Sequence, residues 1–392
     1  MLRHRGSHGV HLSPALLAFA KAHRDHRTLS VYVSGGMTNP ADRRRWQIVL
    51  KHEIAHQRRA ISRRSRDERA AFEACVSLLL DHLPSEATVH ATAAWACFVG
   101  ETGSCIAEPL AFAVSPVVVW QVGIRIAPCL AAAAHPRAIV VVADRQHATL
   151  FRLANTVLTK LEQLDVEPDI EVGPHMGSTP RQGFHPGKRG ETQRDAGERF
   201  MRESRSRHAA ATAARAAALA GTDADIVVGG VTETALLVSA QLPASFAGRT
   251  TRTDTIRASM PQTDIMRFAS EALRTLTAER QLQLATALID DVGQSGHAAT
   301  GVLDVIHALE QRAVDHLLVS PTLVEREPEA VDSIVQEALF EGAEAETAIA
   351  QAADLVDRTA DGVLARLRFP IPPARRKVGR RGGRHAIQLV EP

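Results

Sequence analysis

Residues 137–155 read RAIVVVADRQHATLFRLAN, and this stretch decides how the middle of the chain folds. Two runs of β-branched and other apolar side chains flank the polar residues Asp144, Arg145 and Gln146. Such runs around a short polar break are typical of antiparallel strands joined by a tight turn. We therefore predict a β-hairpin here, and a third strand near 166–172.

A long polar loop and a second buried strand are predicted next. Residues 173–194, GPHMGSTPRQGFHPGKRGETQR, are rich in Gly, Pro and positive charge and cannot form a core. An Ala- and Arg-rich helix follows from about Asp195 to Ala220. The sequence DADIVVGGVTETALLVSAQLP (223–243) then predicts a strand, a Gly-Gly turn and a helix with Thr232 as its N-cap.

The flanking blocks complete an α/β chain with three domains. Residues 1–133 predict an α+β domain with a strand at 29–35, two long helices and three short strands. Residues 134–262 form the middle domain. Residues 263–373 predict helices at 264–277 and 278–292, then helices, among them VDSIVQEALFEGAEAE (331–346), that alternate with the strands DHLLVS and GVLARLRF (362–369). Residues 374–392 are predicted to be a disordered basic tail.

The composition of the 392 residues excludes several classes of protein. Aromatic content is 4%, which argues against a protein that works by stacking bases on aromatic platforms. The most apolar region, 105–143, is interrupted by prolines and charges, so it cannot supply the ~20 apolar residues of a membrane helix. The N-terminus lacks the apolar core of a signal peptide. Four cysteines without CxxC spacing predict buried free thiols, and we expect a cytoplasmic protein.

Charge is distributed unevenly along the chain, although the net charge is only +2. Residues 1–70 hold 15 Lys/Arg against 5 Asp/Glu, and 374–392 hold 6 against 1. Residues 321–361 hold 2 against 11. This asymmetry indicates a polyanionic partner for the basic part, and an acidic face at 325–361 that avoids RNA and meets a basic protein. Merely solvated charge is the alternative interpretation.

The order of these blocks resembles a known family. A hairpin VVVADRQHATLFRL, a polar loop, a basic helix, a strand ADIVVGGVTETALL and a unit VLDVIHALEQRAVDHLLVS follow an N-terminal α/β block. This order resembles the archaeal and eukaryotic class-one peptide release factors and their relative Pelota. It resembles more closely the bacterial family of archaeo-eukaryotic release-factor-like proteins, some of which are ribosome hibernation factors. The resemblance covers 29–369, and the best-matching pieces are 138–153, 225–237 and 302–320.

The resemblance implies a fold and a set of partners. It implies an α+β N-terminal domain, an RNase H-like middle domain and a kink-turn-binding-protein-like α/β C-terminal domain. The implied partners are the ribosome, through rRNA at the tRNA-binding A site, and a translational GTPase or elongation factor, with no cofactor, membrane or DNA. The N-terminal block would approach the decoding centre, and loop 173–194 the peptidyl-transferase centre.

Two motifs of that family are missing. In release factors the corresponding loop carries Gly-Gly-Gln, which positions water for ester hydrolysis, whereas this chain has Arg181-Gln182-Gly183 and no Gly-Gly-Gln. The Asn-Ile-Lys-Ser motif of the eukaryotic factors is also absent. We therefore expect occupancy of the site, in hibernation or rescue, and no peptidyl-tRNA hydrolysis or other enzyme activity. Residual hydrolysis through Gln182 is an open alternative.

Arginines that could contact RNA phosphates form the predicted site, because guanidinium groups bind phosphate without reading base sequence. A solvated helix surface is a competing interpretation for each of them. The predicted rRNA-binding residues are Arg43, Arg44, Arg45, Arg63, Arg64, Arg181, Gln182, Gly183, Lys188, Arg189, Arg194, Arg202 and Arg205.

A zinc peptidase is the main rival hypothesis. KHEIAH (51–56) contains His52-Glu53-x-x-His56, which on a helix places two histidines on one face with Glu53 as general base. The chain has 18 histidines, which favours accidental matches, and no third ligand is recognisable. An exposed charged helix face is therefore preferred. An RNA-binding protein with a target other than the ribosome is a further alternative.

Two other features have simpler interpretations. Asp144 could be a nuclease carboxylate, but metal-dependent nucleases need several converging carboxylates, so a turn residue is preferred. Gly229-Gly230 suggests a phosphate loop, but no complete glycine motif surrounds it. A close strand-to-helix turn is the preferred interpretation.

Overall fold

The structure is a computed structural model of mixed α/β architecture with three sheets, so the predicted α/β class is confirmed. It describes residues 12–35, 45–83, 85, 89, 92–110, 113–133, 137–154, 157–166, 193–222, 224–292 and 296–372. Each sheet lies within one of the three predicted domain ranges. The boundaries of those domains stay a prediction, and the tail 374–392 lies outside the described residues.

The N-terminal part contains an antiparallel sheet of four strands in the order β3-β2-β1-β4. Its elements are α1 (Pro14–Ala22), β1 (Arg27–Ser34), α2 (Arg45–Ala60), α3 (Arg66–Asp81), β2 (Ala94–Gly100), β3 (Cys105–Leu110), β4 (Val117–Val122) and α4 (Ala127–Ala133).

Alternation along β1 gives this sheet two buried faces. Leu29, Val31 and Val33 belong to the core that the sheet shares with α2 and α3. Tyr32 points to the opposite face, where its hydroxyl donates a hydrogen bond to the Arg125 carbonyl at 2.5 Å. Because successive side chains of a strand point to opposite faces, β1 is buried on both sides.

The middle part holds a mixed sheet in the order β7-β6-β5-β8-β9. Its elements are β5 (Arg137–Ala143), β6 (His147–Ala154), β7 (Val157–Asp165), α5 (Gln193–Ala220), β8 (Asp225–Gly230), α6 (Thr232–Gln241) and β9 (Thr250–Arg252). The pairs β5–β6 and β6–β7 are antiparallel, and β5–β8 and β8–β9 are parallel.

The predicted hairpin at 137–155 is present as β5 and β6. Strand β7 (Val157–Asp165) was not predicted, and the strand expected near 166–172 lies, apart from Val166, outside the described residues. The polar side chains of β7, such as Lys160 and Glu162, gave no apolar signal because β7 is an edge strand with exposed positions. Edge strands tolerate this composition, since charged side chains discourage pairing with other chains.

The Gly229-Gly230 pair makes a close turn from β8 to α6. A Cβ at Gly229 would lie 2.7 Å from the Ile256 Cβ, and one at Gly230 would collide with the Ala143 carbonyl. Gly230 also has a φ of +113°, which side chains rarely adopt. Thr232 was wrongly predicted as N-cap: it is the first residue of α6, and Val231 precedes it without a side-chain cap.

The C-terminal part contains a sheet in the order β10-β13-β11-β12, in which only β11 and β12 pair in parallel. Its elements are α7 (Gln262–Asp291), β10 (Ala298–Thr300), α8 (Gly301–Glu310), β11 (Val314–Val319), α9 (Pro321–Arg326), α10 (Pro328–Phe340), β12 (Glu344–Thr347), α11 (Ala350–Ala360) and β13 (Val363–Leu367).

Two predictions for this part were wrong. The helices expected at 264–277 and 278–292 are the single helix α7, because neither Gly nor Pro interrupts 264–291. The helix expected over 331–346 ends at Phe340, and Glu344–Thr347 is strand β12. Gly342, with a φ of +72°, lies between them in the left-handed conformation that commonly follows a helix end.

The N-terminal and C-terminal sheets share one apolar core. Ile124 and Leu130, next to and within α4, belong to the same buried cluster as Leu317 of β11 and Val335 of α10. The Gln336 amide also donates a hydrogen bond to the Ile124 carbonyl at 2.9 Å. The core of the first sheet is therefore completed by residues that follow it by about half the length of the chain.

Helix α7 contributes to two other cores. Ile265, Ala269 and Leu273 pack with one face of the middle sheet, whereas Ala285 and Leu288 pack with α11 and the C-terminal sheet. The 30 residues of α7 thus run from one sheet to the next without a break. In the described part of the chain, no helix is both long and apolar enough to span a membrane.

Candidate nucleic-acid interface

Helix α2 buries one side and exposes basic side chains on the other. Trp46, Leu50 and Ile54, spaced four residues apart, pack against the sheet. The opposite side is exposed, and even Ile48 has 69% of its surface accessible. The exposed basic residues of this helix include Arg45, Lys51, His52, His56, Arg58 and Arg59.

Arginines at the turn between α2 and α3 extend this surface. Arg63 and Arg64 lie in the turn, and Arg59 and Arg66 lie beside it at the two helix ends. All four are exposed, and none forms an ion pair with any residue that the structure describes. We call these four residues the turn arginines. Their charges are uncompensated locally, so they are available to an external anion.

Arg58 is different, because a carboxylate already neutralises it. Its Nε and Nη2 donate hydrogen bonds to the two Glu73 oxygens at 2.7 and 2.8 Å. This bidentate pair raises the pKa of Arg58 and lowers that of Glu73, in both cases mainly through the hydrogen bonds. Arg58 therefore attracts a phosphate less strongly than the turn arginines do, because Glu73 offsets its positive charge.

The histidines of the zinc hypothesis are exposed on α2. The His52 side chain is 71% exposed, and its Nδ1 lies 3.4 Å from the Glu53 Oε1. In the described part of the chain, no third His, Cys, Asp or Glu joins His52 and His56 to form a metal-ligand group. A zinc site normally has three protein ligands or more. The zinc site stays an alternative without support from this geometry.

Helix α5 is buried in its second half and exposed in its first. Ala209, Ala213, Ala216 and Ala220 repeat every three or four residues and pack on the middle sheet. The arginines lie mainly before them: Arg199, Arg202 and Arg207 are exposed, Arg205 is partly buried, and Arg194 lies in the first turn.

Ion pairs distinguish the arginines of α5 from one another. Arg205 lies 3.4 Å from Glu233 of α6, and Arg199 lies 3.8 Å from Glu203. Farther along the helix, Arg215 is held by both oxygens of Glu162 on β7, at 2.5 and 3.1 Å. Arg202 makes no ion pair with the described residues. It is therefore more available to an external anion than Arg205, the other predicted arginine of this helix whose side chain the structure describes.

Polar side chains surround the point where β7 ends, and only Asp144 among them was identified from the sequence, as a turn residue. The Asp144 carboxylate accepts hydrogen bonds from the amides of Gln146 and His147, both at 2.7 Å, as a turn residue does. The His147 Nδ1 lies 2.7 Å from the Asp165 Oδ1. Nearby His208 of α5 is buried, and burial is the main cause that lowers its pKa. Only their positions beside strand ends could have indicated this cluster.

Several predicted residues cannot be placed. Loop residues 181–183, 188 and 189 lie outside the described residues, as do Arg43 and Arg44. The residues that can be placed fall into two sets, because α2 packs on the N-terminal sheet and α5 on the middle sheet. No direct contact unites Arg63 and Arg64 with Arg202 and Arg205. The site as a whole stays a prediction.

A buried polar cluster in the C-terminal sheet contains the three possible metal ligands His316, Glu344 and Glu346. The His316 Nδ1 lies 3.4 Å from Glu344, and its Nε2 lies 3.5 Å from Glu346. One ligand atom of each of the three residues lies within 4.8 Å of the others, but the Arg280 guanidinium, 3.9 Å from Glu346, opposes a cation there. An ion-pair network explains this cluster better than a metal.

The acidic stretch 325–361 does not form a continuous exposed face. Asp332 and Glu346 are buried, and Arg326 pairs with Glu327 at 3.1 Å and with Asp361 at 3.0 Å. Some of these carboxylates therefore form buried or ion-paired contacts within the fold and are not available to a partner. The prediction of an acidic surface applies only to exposed positions such as Glu325.

No protein-family model and no curated protein sequence matches the chain. Among solved structures, it is similar to the archaeal translation termination factor aRF1, with 17% identity over 92% of this chain and 99% of that one, at a TM-score of 0.24. It is similar to S. cerevisiae Dom34, with 11% identity over 71% and 80%, at a TM-score of 0.41. Dom34 is a translation termination-like factor involved in RNA quality control that interacts with Hbs1.

Archaeoglobus fulgidus Pelota is also similar, with 14% identity over 70% of this chain and 79% of that one, at a TM-score of 0.32. Release factors and Pelota are the proteins that the sequence resemblance named. At these identities and TM-scores, the similarities do not decide what this chain does. We therefore base its function on its own residues.

Proposed function

We propose that the chain is a release-factor-like RNA-binding protein of the cytoplasm that occupies the ribosomal A site. In this proposal it protects or rescues idle ribosomes and does not hydrolyse peptidyl-tRNA. The single observation that carries the proposal is the uncompensated charge of the turn arginines. Exposed guanidinium groups without a carboxylate partner retain their full attraction for RNA phosphates.

The place of the polar loop in the sequence supports the same proposal. Residues 173–194 carry four Lys/Arg and one Asp/Glu, and they directly precede the arginines of α5 along the chain. The loop lacks Gly-Gly-Gln, the part that would position a water for ester hydrolysis, which favours occupancy over chemistry.

A basic protein such as an elongation factor or translational GTPase is the proposed second partner. Exposed acids of the C-terminal part, among them Glu325, Glu329 and Asp354, would repel rRNA and attract such a protein. This contact would deliver the chain to the ribosome, whereas the RNA contacts would hold it there.

Co-sedimentation with vacant 70S ribosomes over a salt series tests the proposal. We expect saturable binding that weakens as salt rises, since phosphate contacts release counterions. The double variant Arg63→Ala/Arg64→Ala should bind less tightly and flatten the salt dependence by about one unit of slope per lost contact. Replacing residues 175–192 by a short Gly-Ser linker should also weaken binding.

Arg58→Ala is the matched control, because Glu73 already neutralises that neighbouring arginine. Its binding should stay close to that of the unchanged protein. Equal affinity for free structured RNA and for ribosomes would replace the A site by a general RNA target. Absence of ribosome binding at every salt concentration would refute the proposal.

A further inference from the structure

Two cysteines face each other across the first hairpin of the N-terminal sheet. Cys97 of β2 and Cys105 of β3 are on paired antiparallel strands, with their Sγ atoms 3.5 Å apart. They are diagonal neighbours, because Val99 is the residue opposite Cys105. Both thiols are free. Cys129 lies instead beside Tyr32, whose hydroxyl is 3.4 Å from the Cys129 Sγ.

We propose that Cys97 and Cys105 are an oxidation site, at which a hydroperoxide converts the two thiols into a reversible intramolecular disulfide. Cys105 is the residue that attacks the peroxide, and Cys97 is the residue that resolves the product. This inference does not depend on the proposed ribosomal function, since it rests on the geometry of the hairpin alone.

Accessibility and acidity both select Cys105 as the first to react. Cys105 is only partly buried, whereas Cys75, Cys97 and Cys129 are buried. A hydrogen bond from Cys97 lowers the pKa of Cys105 to about 7, against the effect of burial and with help from His82. Burial raises the pKa of Cys75 and of Cys129 to about 11. Because the thiolate is the nucleophile, Cys105 is the reactive thiol at neutral pH.

The chemistry needs only the peroxide as co-reactant. The Cys105 thiolate attacks one oxygen of hydrogen peroxide, the O–O bond breaks, and the hydroxide that leaves takes up a proton to become water. Cys105 is then a sulfenic acid. The Cys97 sulfur attacks the Cys105 sulfur, Cys97 loses its proton, and the sulfenic hydroxyl leaves as a second water. Two thiols are oxidised by two electrons, and one peroxide is reduced to two waters.

Oxidation of Cys105 also activates its partner. The pKa of Cys97 is raised chiefly by the hydrogen bond that its thiol makes to Cys105. That hydrogen bond stabilises the Cys97 thiol only while Cys105 carries negative charge. Once Cys105 is a neutral sulfenic acid, this largest cause disappears and the pKa of Cys97 falls, although burial still raises it. Titratable groups near the pair are Cys75 and His82 of the α3 region, with Glu101 acting on Cys75.

The hairpin can close the remaining gap. A disulfide bond is about 2.05 Å long, so the sulfurs must approach by roughly 1.5 Å. Cys105 is the first residue of β3, an edge strand, and follows the turn of residues 101–104. Gly103 in this turn has a φ of +87° and nothing within 4 Å of a Cβ position. Strand β3 therefore pairs with another strand along one edge only, and the open turn before Cys105 leaves room for that residue to shift.

The test is thiol counting and peptide mapping on the full chain after treatment with hydrogen peroxide. We expect free thiols in the unfolded protein to fall from four to two, with a linked peptide that joins Cys97 and Cys105. Dithiothreitol should restore all four. Cys105→Ser should react at least tenfold more slowly, and Cys97→Ser should stop at a sulfenic acid that dimedone labels.

Cys75→Ser is the control, because it removes a buried cysteine of the same part of the chain and should still form the disulfide. Circular dichroism of each variant verifies that it is folded. The mapping of the unchanged protein tests the proposal even if a variant unfolds. Four remaining thiols, a disulfide between two chains, or sulfinic acid at Cys105 with Cys97 still reduced would each overturn it.

Discussion

Asp332 of α10 joins Arg125 of the N-terminal part across the shared core, with its Oδ2 accepting a hydrogen bond from the Arg125 Nη1 at 3.1 Å. The same carboxylate accepts hydrogen bonds from the Gln121 amide at 3.0 Å and from the backbone amides of Ile126 and Ala127, both at 2.8 Å. The Asp332 side chain is 1% exposed, so no water replaces these partners. One carboxylate thus holds four donors from residues 121–127, at the start of α4, against α10.

Replacing Asp332 by Ala should therefore destabilise the protein strongly. The change leaves a partly buried guanidinium and two backbone amides without their acceptor, and losing one partner of such a pair costs about 3–5 kcal/mol. Urea unfolding followed by circular dichroism measures the loss. Asp354→Ala, an exposed acid on α11, is the control and should change the free energy of unfolding by less than about 0.5 kcal/mol. Similar values for both variants would contradict the role of Asp332.

Asp225 at the start of β8 should make stability depend on pH. Burial raises its pKa to about 6, although Arg249 and Arg280 lie 3.7 and 3.9 Å away and act in the opposite direction. The folded protein therefore holds this proton more tightly than the unfolded chain does. The contribution to stability is present below pH ~4 and is lost as pH rises toward 6, by about 2–3 kcal/mol in total.

Unfolding free energies measured between pH 4 and 7 test this dependence. Asp225→Asn should remove this part of the slope, even if the loss of charge beside Arg249 lowers stability at every pH. Asp254→Asn is the control, because that carboxyl is 63% exposed. If the slope is the same in both variants and in the unchanged protein, the assignment to Asp225 is wrong.

Gly230→Ala should disrupt the middle sheet. A Cβ there would collide with the backbone of Ala143 and would require a φ of +113° in a residue that has a side chain. We expect a loss of at least about 3 kcal/mol, since neighbouring backbone must move. Gly221→Ala is matched to it, because its φ is +54° and nothing lies within 4 Å of the new methyl. That variant should lose only about 1–2 kcal/mol in thermal unfolding.

Arg202 and Arg215 should differ in their effect on RNA binding, although both lie on α5. Arg202 is exposed without an ion pair among the described residues, whereas Glu162 neutralises Arg215. If α5 contacts ribosomal phosphates, Arg202→Ala should weaken co-sedimentation severalfold and reduce the slope against salt by about one unit. Arg215→Ala should leave both unchanged. Equal effects would exclude a specific contribution from Arg202.

Local patterns in the sequence predicted much of the fold. The hairpin at 137–155 and the helix at 193–220 depend on periodicities within a few residues, which the sequence contains. Strand β12 was missed because its acidic residues look like the end of a helix. Its burial depends on Gln281 and Arg280 of a distant helix, which no local pattern contains.

The candidate site was predictable in part for the same reason. Exposure of Arg63 and Arg64 follows from the break between two amphipathic helices. The pairing of Arg58 with Glu73 could not be predicted, because it depends on how α2 and α3 pack. Likewise, Asp332 appeared to be one more acid in an acidic stretch, and only the shared core assigns it to Arg125.

The shared core has a consequence for how the chain matures on the ribosome that makes it. The apolar face around Leu130 is synthesised early, but its partners near Leu317 are added roughly 190 residues later, which takes ~10–40 s at ordinary rates of synthesis. During that interval the nascent chain exposes an apolar surface, and exposed apolar surface is what chaperones bind. The N-terminal part completes its core only when the C-terminal part has been made.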